Sequence, residues 1–479
     1  MNISEFRETG HKLVDLLSDY LNEIEDHPLI NDTDPKVIEK LFDEPVPAEG
    51  INSDDIIKEL KEKLFPYVTG VNHPGYFGLI TPTPTPIGIL GDFIASTLNQ
   101  NLGAYSIGAS AVEMEKRTVR WLCDLVGFPA SAGGNLTSGG MMANFIGMKL
   151  ARDWSSGNRA QHQGAIFDHV IYVSEERHVS IDKAVDAVGF GRNSLKIIPT
   201  DENYRINTDA LEKQIKEDRK NNLVPACIIG LGGTTNTGSV DPLPALRKIA
   251  DKNKAWFHVD AAYGGGALLS QKRINLLSGI ETADSVTLDP HKWFYAPLDA
   301  GSILVKDKRQ LTLSFGIQPS YLKDNIDNER FQYFVHSFEQ SRRFRSLKVW
   351  MSFKRYGTRQ IARWIDSNID QAEHMYKLCK DDRILRPAVN PPMSAICVRF
   401  ESDKLSSSEI ELLHNEVAKK AELSGKFWIS TTVLKGKIFF RINPVNFRTR
   451  LKHIDELYSF LKNESLAFEN KLVRLSSGG

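Results

Sequence analysis

The sequence predicts an α/β protein built on a mainly parallel sheet. Between about residues 85 and 310, short apolar runs rich in β-branched residues alternate with stretches of helical periodicity. Unusual polar residues directly follow most of these runs, as expected at the carboxyl edge of an open sheet, where ligands bind. The clearest predicted strands are Val170–Val173, Cys227–Gly230, Trp256–Val259, Ser285–Leu288 and Ser302–Val305.

The residues before this region predict a helical arm rather than a separate core. Apolar residues recur at helical spacing in Glu5–Glu25, and a second amphipathic helix is expected at Asp54–Leu64. A connector rich in proline and aspartate, Asn31–Pro47, joins them. The arm carries too little apolar surface for a core of its own, so we expect it to pack on a second subunit.

The end of the chain predicts a smaller domain in which helices and strands alternate. Its best strands are Ala395–Phe400 and Lys437–Arg441. We therefore expect an N-terminal arm at 1–84, a large domain at 85–360 and a small C-terminal α/β domain at 361–479.

Composition excludes several classes of function. Lysine plus arginine equals aspartate plus glutamate, 60 each, which argues against binding to nucleic acid or a membrane surface through bulk charge. The four cysteines are scattered without a CxxC pair, so the sequence indicates neither a metal site nor a disulfide framework. The polar N-terminus does not resemble a signal peptide, and we expect a cytoplasmic protein.

Two segments at predicted strand ends carry the strongest chemical signal. Lys292 follows the strand Ser285–Leu288, and a lysine in a dry site can form a Schiff base with an aldehyde. Asp260 ends the strand before it, where an aspartate could cap a helix or bind a metal. Beside a pyridine cofactor its carboxylate would keep the ring nitrogen protonated, which makes the ring a better electron sink.

Two further segments fit an anionic cofactor with a flat ring. Glycines in Leu136–Asn144 lead into a helix at Met141–Trp154, and such a helix N-terminus binds phosphate, although a Gly-Gly pair is often only a turn. His178 lies beyond a strand end, where an imidazole could stack on a ring, although a lone histidine is more often structural.

Taken together, these segments resemble the group II pyridoxal-phosphate amino-acid decarboxylases, the family of aromatic-amino-acid, histidine and glutamate decarboxylases. The specific match is His-Val-Asp-Ala-Ala-Tyr-Gly-Gly at 258–265 followed by Asp-Pro-His-Lys-Trp at 289–293. The resemblance implies an aspartate-aminotransferase-like (type I) fold with a seven-stranded sheet and helices on both faces. It also implies an intertwined homodimer with active sites at the interface.

The resemblance implies a role for each site residue. Lys292 would bind pyridoxal 5′-phosphate as a Schiff base, Asp260 would pair with the pyridine nitrogen, and His178 would stack on the ring. The remaining implied cofactor contacts are Ala262, Thr235, Gly139, Gly140, Met141 and His291. The implied substrate pocket contains Tyr76, Ile80, Thr81, Asn101 and Tyr105.

The implied reaction is decarboxylation of an L-amino acid, through an external aldimine and a quinonoid, to an amine and carbon dioxide. The long polar segment 318–338 is expected to be a loop. The segment Tyr333–Lys348 resembles the family's mobile catalytic loop and the helix after it, and Tyr333 matches the loop tyrosine that would protonate Cα with His178. The basic run after it, Arg342–Lys348, is expected to be a solvated or inter-subunit helix face.

The sequence leaves the substrate open. Ile80 and Thr81 stand where the aromatic branch offers aromatic rings, and 99–106 is more polar than in that branch. The 289–293 box and Arg342–Lys348 favour an aromatic substrate, with an acidic or polar amino acid as the alternative. Met141 replaces a hydroxyl residue that is common at the phosphate loop.

Two other functions fit the sequence less well. An oxygen-consuming aldehyde synthase would share the cofactor, but retention of Tyr333 argues against it. A non-catalytic binding protein would be expected to have lost Lys292, Asp260 or His178, and all three are present.

Overall fold

The computed structural model describes residues 1–164, 166–317 and 330–477, so most of the predicted loop at 318–338 lies outside the described residues. Its largest element is a seven-stranded sheet in the order β1-β7-β6-β5-β4-β2-β3. The strands are β1 Gly133–Thr137, β2 His169–Ser174, β3 Leu195–Ile198, β4 Val224–Leu231, β5 Trp256–Asp260, β6 Ser285–Leu288 and β7 Gly301–Val305. Only β7 runs antiparallel to its two neighbours, so the predicted mainly parallel sheet is confirmed.

Helices connect and flank these strands. They are α4 Pro86–Leu98, α5 Ala109–Val126, α6 Gly140–Ser155, α7 Ala160–Gln163, α8 Val179–Ala187, α9 Thr208–Lys220, α10 Leu243–Asn253 and α11 Arg309–Phe315. Parallel neighbours need such crossovers, since a tight turn cannot return a chain to the same end of a sheet. The apolar faces of α6 and α8 pack on the central strands in a buried cluster that includes Ile146, Ile181 and Ile229.

The chain divides into two compact units. One comprises residues 80–370 and 389–395 and contains the seven-stranded sheet. The other comprises residues 1–79, 371–388 and 396–479. The long helix α12, Ser346–Lys380, contributes to both and is interrupted at Gly357, whose φ of 65° departs from helical geometry. The predicted division at residues 84 and 360 stays a prediction.

The second unit has its own antiparallel sheet, in the order β10-β11-β9-β8. Its strands are β8 Leu385–Pro387, β9 Ile396–Phe400, β10 Ser430–Leu434 and β11 Lys437–Ile442, with helices α13 Ser407–Leu423 and α14 Leu451–Ser477. This unit thus has a four-stranded sheet and two long helices around one apolar core.

The N-terminal helices are α1 Ile3–Asn22, α2 Pro35–Phe42 and α3 Ser53–Glu59, and a π-helical turn continues α3 to Leu64. Neither α1 nor α2 buries a residue within this chain. Large apolar side chains such as Phe6, Phe42 and Val46 are exposed instead. No helix in the three described stretches is long and apolar enough to cross a membrane.

All four cysteines are free and buried. Burial raises the pKa of the Cys123 and Cys379 thiols to about 12 and raises that of Cys227 further. Such thiols stay protonated near neutral pH and react slowly, because the thiolate is the nucleophile. They behave as small apolar core residues.

Loss of the buried imidazole of His414 is expected to make stability less dependent on pH. His414 Nε2 accepts from the Phe400 amide at 3.1 Å, and burial lowers the pKa of His414 to about 4. Between pH 6.5 and 4 the unfolded chain therefore binds the proton more readily than the folded chain. The free energy of unfolding thus decreases as the pH is lowered through this range. The His414→Gln variant is expected to be less stable at pH 8 and to lose less stability on acidification. Chemical denaturation at several pH values checks this, and parallel pH curves for the two proteins would contradict it.

Candidate active site

Lys292 lies in the turn that follows β6. Its amide donates to the carbonyl of Asp289 at 2.8 Å, and its Nζ lies 3.2 Å from Asp289 Oδ2. Burial opposes ionisation of Asp289, but Lys292 and His291 outweigh it and hold the pKa of Asp289 below its ordinary value. The Asp289 carboxylate is therefore ionised at neutral pH and pairs with the lysine.

Asp260 ends β5, the neighbour of β6 in the sheet. Its Oδ1 accepts from the Ala262 amide at 3.1 Å, and its Oδ2 accepts from Asn144 Nδ2 at 2.8 Å. The parallel register pairs Asp260 with Thr287, so the ends of β5 and β6 lie at the same edge. The carboxylate is buried, with 8% of the residue exposed.

His178 caps the N-terminus of α8. The Ser180 amide donates to His178 Nδ1 at 3.2 Å, which leaves the ring proton on Nε2. The residue is exposed and lines a cavity. The protein packed around it nevertheless disfavours the charged form and lowers the pKa of His178, although Asp260 opposes the shift. The imidazole is thus neutral at neutral pH.

The turn Gly139–Met141 leads into α6. Gly139 has a φ of 152°, which favours glycine. A Cβ on Gly140 would lie 2.7 Å from Asp289 Oδ2 and 3.2 Å from Ala262 Cβ, so only glycine keeps this space open. Free backbone N–H groups at the start of a helix of this length attract an anion.

These elements surround one cavity of about 290 Å³. Its lining includes all nine residues predicted to contact the cofactor, namely Gly139, Gly140, Met141, His178, Thr235, Asp260, Ala262, His291 and Lys292. A space kept open by glycine, next to a helix start, suits a phosphate group. A carboxylate, an imidazole and a lysine around the same space suit a pyridine aldehyde. The residues therefore fit pyridoxal 5′-phosphate.

The structure places the other predicted residues elsewhere. Tyr76 belongs to the other unit, where its ring lies 4.9 Å from that of Trp428. Ile80 and Thr81 are half-buried. Asn101 Oδ1 accepts from the amides of Gly103 and Arg342, and Tyr105 packs on a separate apolar cluster. None of these five is among the described residues that line the cofactor cavity, and their predicted role stays a prediction.

Tyr333 is buried, with 1% exposed, and lines a different cavity of about 410 Å³. The Arg342 guanidinium lies 4.1 Å from the centre of its ring and forms a buried ion pair with Glu115, 2.6 Å long. The prediction that Arg342–Lys348 is a solvated or inter-subunit helix face is therefore wrong for Arg342 and Lys348, whose side chains are fully buried within this chain. Both have acidic partners within the unit, which offsets the cost of burying the charge.

Several cavity residues were missed by the sequence interpretation. Asn144, Ser180, Glu176 and Asp289 all line the cavity. Asn144 lies one helical turn after Gly140, so it faces the same side of α6. This spacing from Gly140 was the signal in the sequence that could have identified Asn144. It indicates a role only when the element that packs against α6 is known.

The fold and this cavity are those of a pyridoxal-phosphate enzyme of type I. The family model described as the pyridoxal-dependent decarboxylase conserved domain matches residues 35–401. An aromatic-L-amino-acid decarboxylase of Bacillus atrophaeus is 34% identical over 98% of this chain and 97% of its own length. A phenylacetaldehyde synthase of Arabidopsis thaliana is 29% identical over 97% of this chain and 96% of its own. A crystal structure of Oryza sativa TDC with PLP and tryptamine superimposes with a TM-score of 0.92 at 26% identity, covering 98% of this chain and 99% of that one.

The chain belongs to the pyridoxal-dependent decarboxylase family. It is a carboxy-lyase whose cofactor is pyridoxal 5′-phosphate and whose substrate is an amino acid.

Replacing Asp289 by asparagine is expected to tighten cofactor binding. The ionised carboxylate lies beside the Gly139–Met141 turn, where it opposes an anionic phosphate, and it also forms an ion pair with Lys292. Removing that charge should lower the dissociation constant of pyridoxal 5′-phosphate by roughly tenfold. Equilibrium dialysis of the apoprotein measures this, with Asp307→Asn, at a half-buried aspartate outside the cavity, as control. Weaker binding by Asp289→Asn would contradict the expectation.

Proposed function

We propose that this enzyme decarboxylates an aromatic L-amino acid to the corresponding amine and carbon dioxide. The observation that carries the proposal is the 34% identity to an aromatic-L-amino-acid decarboxylase along almost the entire length of both chains.

We propose the following roles for the cavity residues. The Lys292 amine holds the cofactor through its aldehyde, and Asp260 pairs with the ring nitrogen. His178 covers one face of the ring, Ala262 supports the other, and Thr235 lies at its edge. Gly139, Gly140 and Met141 bind the phosphate through backbone N–H groups, with His291 nearby. Pyridoxal 5′-phosphate supplies a protonated ring that accepts the electron pair released when the Cα–carboxylate bond breaks.

The proton that replaces carbon dioxide at Cα is proposed to come from Tyr333, with His178. Burial raises the pKa of Tyr333 well above its ordinary value, so the hydroxyl keeps its proton until a strong base forms beside it. Since Tyr333 is not among the described residues around its own chain's cavity, it would act within the homodimer proposed next.

We also propose a homodimer with active sites at its interface. The support is the exposed apolar surface of α1 and α2, and of α4, where Leu90, Phe93 and Leu98 are all exposed. Large exposed apolar patches usually mark an interface. Finally, we propose a cytoplasmic location, because four free cysteines suit a reducing compartment.

A panel of all common L-amino acids tests the proposed substrate. Carbon dioxide, amine and hydrogen peroxide are measured for each, with the Lys292→Ala variant as the blank. We expect carbon dioxide and amine in equal amounts from phenylalanine, tyrosine or tryptophan. Release only from glutamate or aspartate would overturn the aromatic substrate. Hydrogen peroxide equal to the carbon dioxide would instead identify an aldehyde synthase, like the relative from Arabidopsis thaliana.

A further inference from the structure

A continuous chain of hydrogen bonds runs behind Asp260 through buried side chains. Trp256 Nε1 donates to Ser285 Oγ at 2.8 Å, and that oxygen lies 2.8 Å from His258 Nδ1. His258 Nε2 lies 3.0 Å from Asn144 Oδ1. Asn144 Nδ2 then donates to Asp260 Oδ2 at 2.8 Å. The chain therefore connects the interior of the sheet to the carboxylate in the cavity.

The periodicity of two neighbouring strands produces this chain. His258 and Asp260 share one face of β5, and the register sets them beside Ser285 and Thr287 on β6. Helix α6 crosses this face closely, since a Cβ on Gly147 would lie 2.7 Å from His258 Cε1. The close approach places Asn144 within hydrogen-bonding distance of His258 and Asp260.

The chain fixes the position of each proton. A carboxylate only accepts, so Asn144 must direct its amide hydrogens toward Asp260 and its oxygen toward His258 and Thr287. His258 then carries its proton on Nε2, and its Nδ1 accepts from the Ser285 hydroxyl. Burial lowers the pKa of His258 to about 4, so the imidazole stays neutral.

The same asparagine also reaches the histidine of the cavity. Asn144 Nδ2 donates to Ser180 Oγ at 2.9 Å, and Ser180 Oγ lies 2.9 Å from His178 Nδ1. One amide group thus contacts Asp260 directly and His178 through one hydroxyl. Asn144 is 1% exposed and Ser180 is 1% exposed, so water cannot readily replace these bonds.

We propose that Asn144, held by His258, is a positioning residue that holds Asp260 for the ring nitrogen of the cofactor and His178 for one face of the ring. This inference rests on the proposed roles of Asp260 and His178. An uncharged donor suits the task, because a lysine or charged histidine at this place would neutralise the carboxylate that the ring nitrogen needs. Asn144 and His258 fix the position of the Asp260 carboxylate and leave its negative charge available to the ring nitrogen.

A double-mutant cycle tests whether Asn144 acts through Asp260. The Asn144→Leu variant is expected to raise the dissociation constant of pyridoxal 5′-phosphate and lower kcat by roughly ten- to a hundredfold, with KM nearly unchanged. Adding Asn144→Leu to Asp260→Asn is expected to lower kcat little further. Multiplicative losses in the double variant would overturn the inference. Asn446→Leu, which removes an equally buried asparagine from the other unit, should leave cofactor affinity unchanged.

A second measurement needs neither a variant nor the cofactor. Nitrogen-15 NMR of the histidines in the apoprotein reports the tautomer, and we expect His258 to be neutral with its proton on Nε2. A proton on Nδ1, or a charged ring at neutral pH, would overturn the inference. Failure of the proposed function has a different result, because Asp260→Asn would then leave kcat unchanged. A large loss in Asp260→Asn with none in Asn144→Leu rejects only the inference.

Discussion

Replacing Lys292 by alanine is expected to lower kcat/KM by roughly 10³-fold or more, because the group that holds the cofactor is lost. The Lys292 side chain is partly exposed, 23%, and its main contact is the ion pair with Asp289, so the variant should fold. It is expected to lack the visible absorbance of cofactor bound through a lysine. Borohydride should likewise no longer attach the cofactor to the protein, which mass spectrometry measures directly.

A matched control for Lys292 is Lys213→Ala, which removes an exposed lysine of α9. This variant should keep the absorbance, the borohydride adduct and full activity. If Lys292→Ala kept both the absorbance and the adduct, another amine would hold the cofactor and the assignment of Lys292 would be wrong.

Replacing Asp260 by asparagine is expected to lower kcat on the order of 10³-fold with little change in KM. The amide keeps the shape of the side chain but loses the negative charge that keeps a ring nitrogen protonated. Because that charge matters most as electrons move into the ring, the loss should appear in kcat. Cofactor affinity should fall as well, and steady-state kinetics and equilibrium dialysis measure the two effects.

The control for Asp260 is Asp218→Asn, another buried aspartate of the same unit, 3% exposed, on α9. It should change stability more than kcat. If Asp260→Asn retained wild-type kcat, the ring nitrogen would not depend on this carboxylate and the proposed role of Asp260 would fail.

The parallel core of the fold was predictable because its strands are short, apolar and β-branched between polar turns. The prediction for Ser285–Leu288 matches β6 at both ends. In contrast, β1 was not among the predicted strands, since two of its residues, Gly133 and Gly134, disfavour a strand by themselves. Its pairing with β7 supplies the stability that the local sequence lacks.

The candidate site was likewise predictable from the sequence only in part. Lys292, Asp260 and His178 could be found because each lies at or beyond the end of a strand, and strand ends converge at one edge of the sheet. From the sequence alone, Asn144 could be predicted only as a helix residue, because its hydrogen-bond partners lie on β5, β6 and α8. The role of Tyr333 is implied only by its match to the family's loop tyrosine, which gives no information about the cavity that the ring faces.

The burial of all four native thiols has a practical consequence for studying assembly. A single cysteine introduced at an exposed position, such as Lys213 on α9, would be the fastest-reacting thiol in the protein. A fluorophore or spin label attached there would report on one site without removal of the native cysteines. Energy transfer between labelled chains mixed in solution would then follow subunit association and exchange directly.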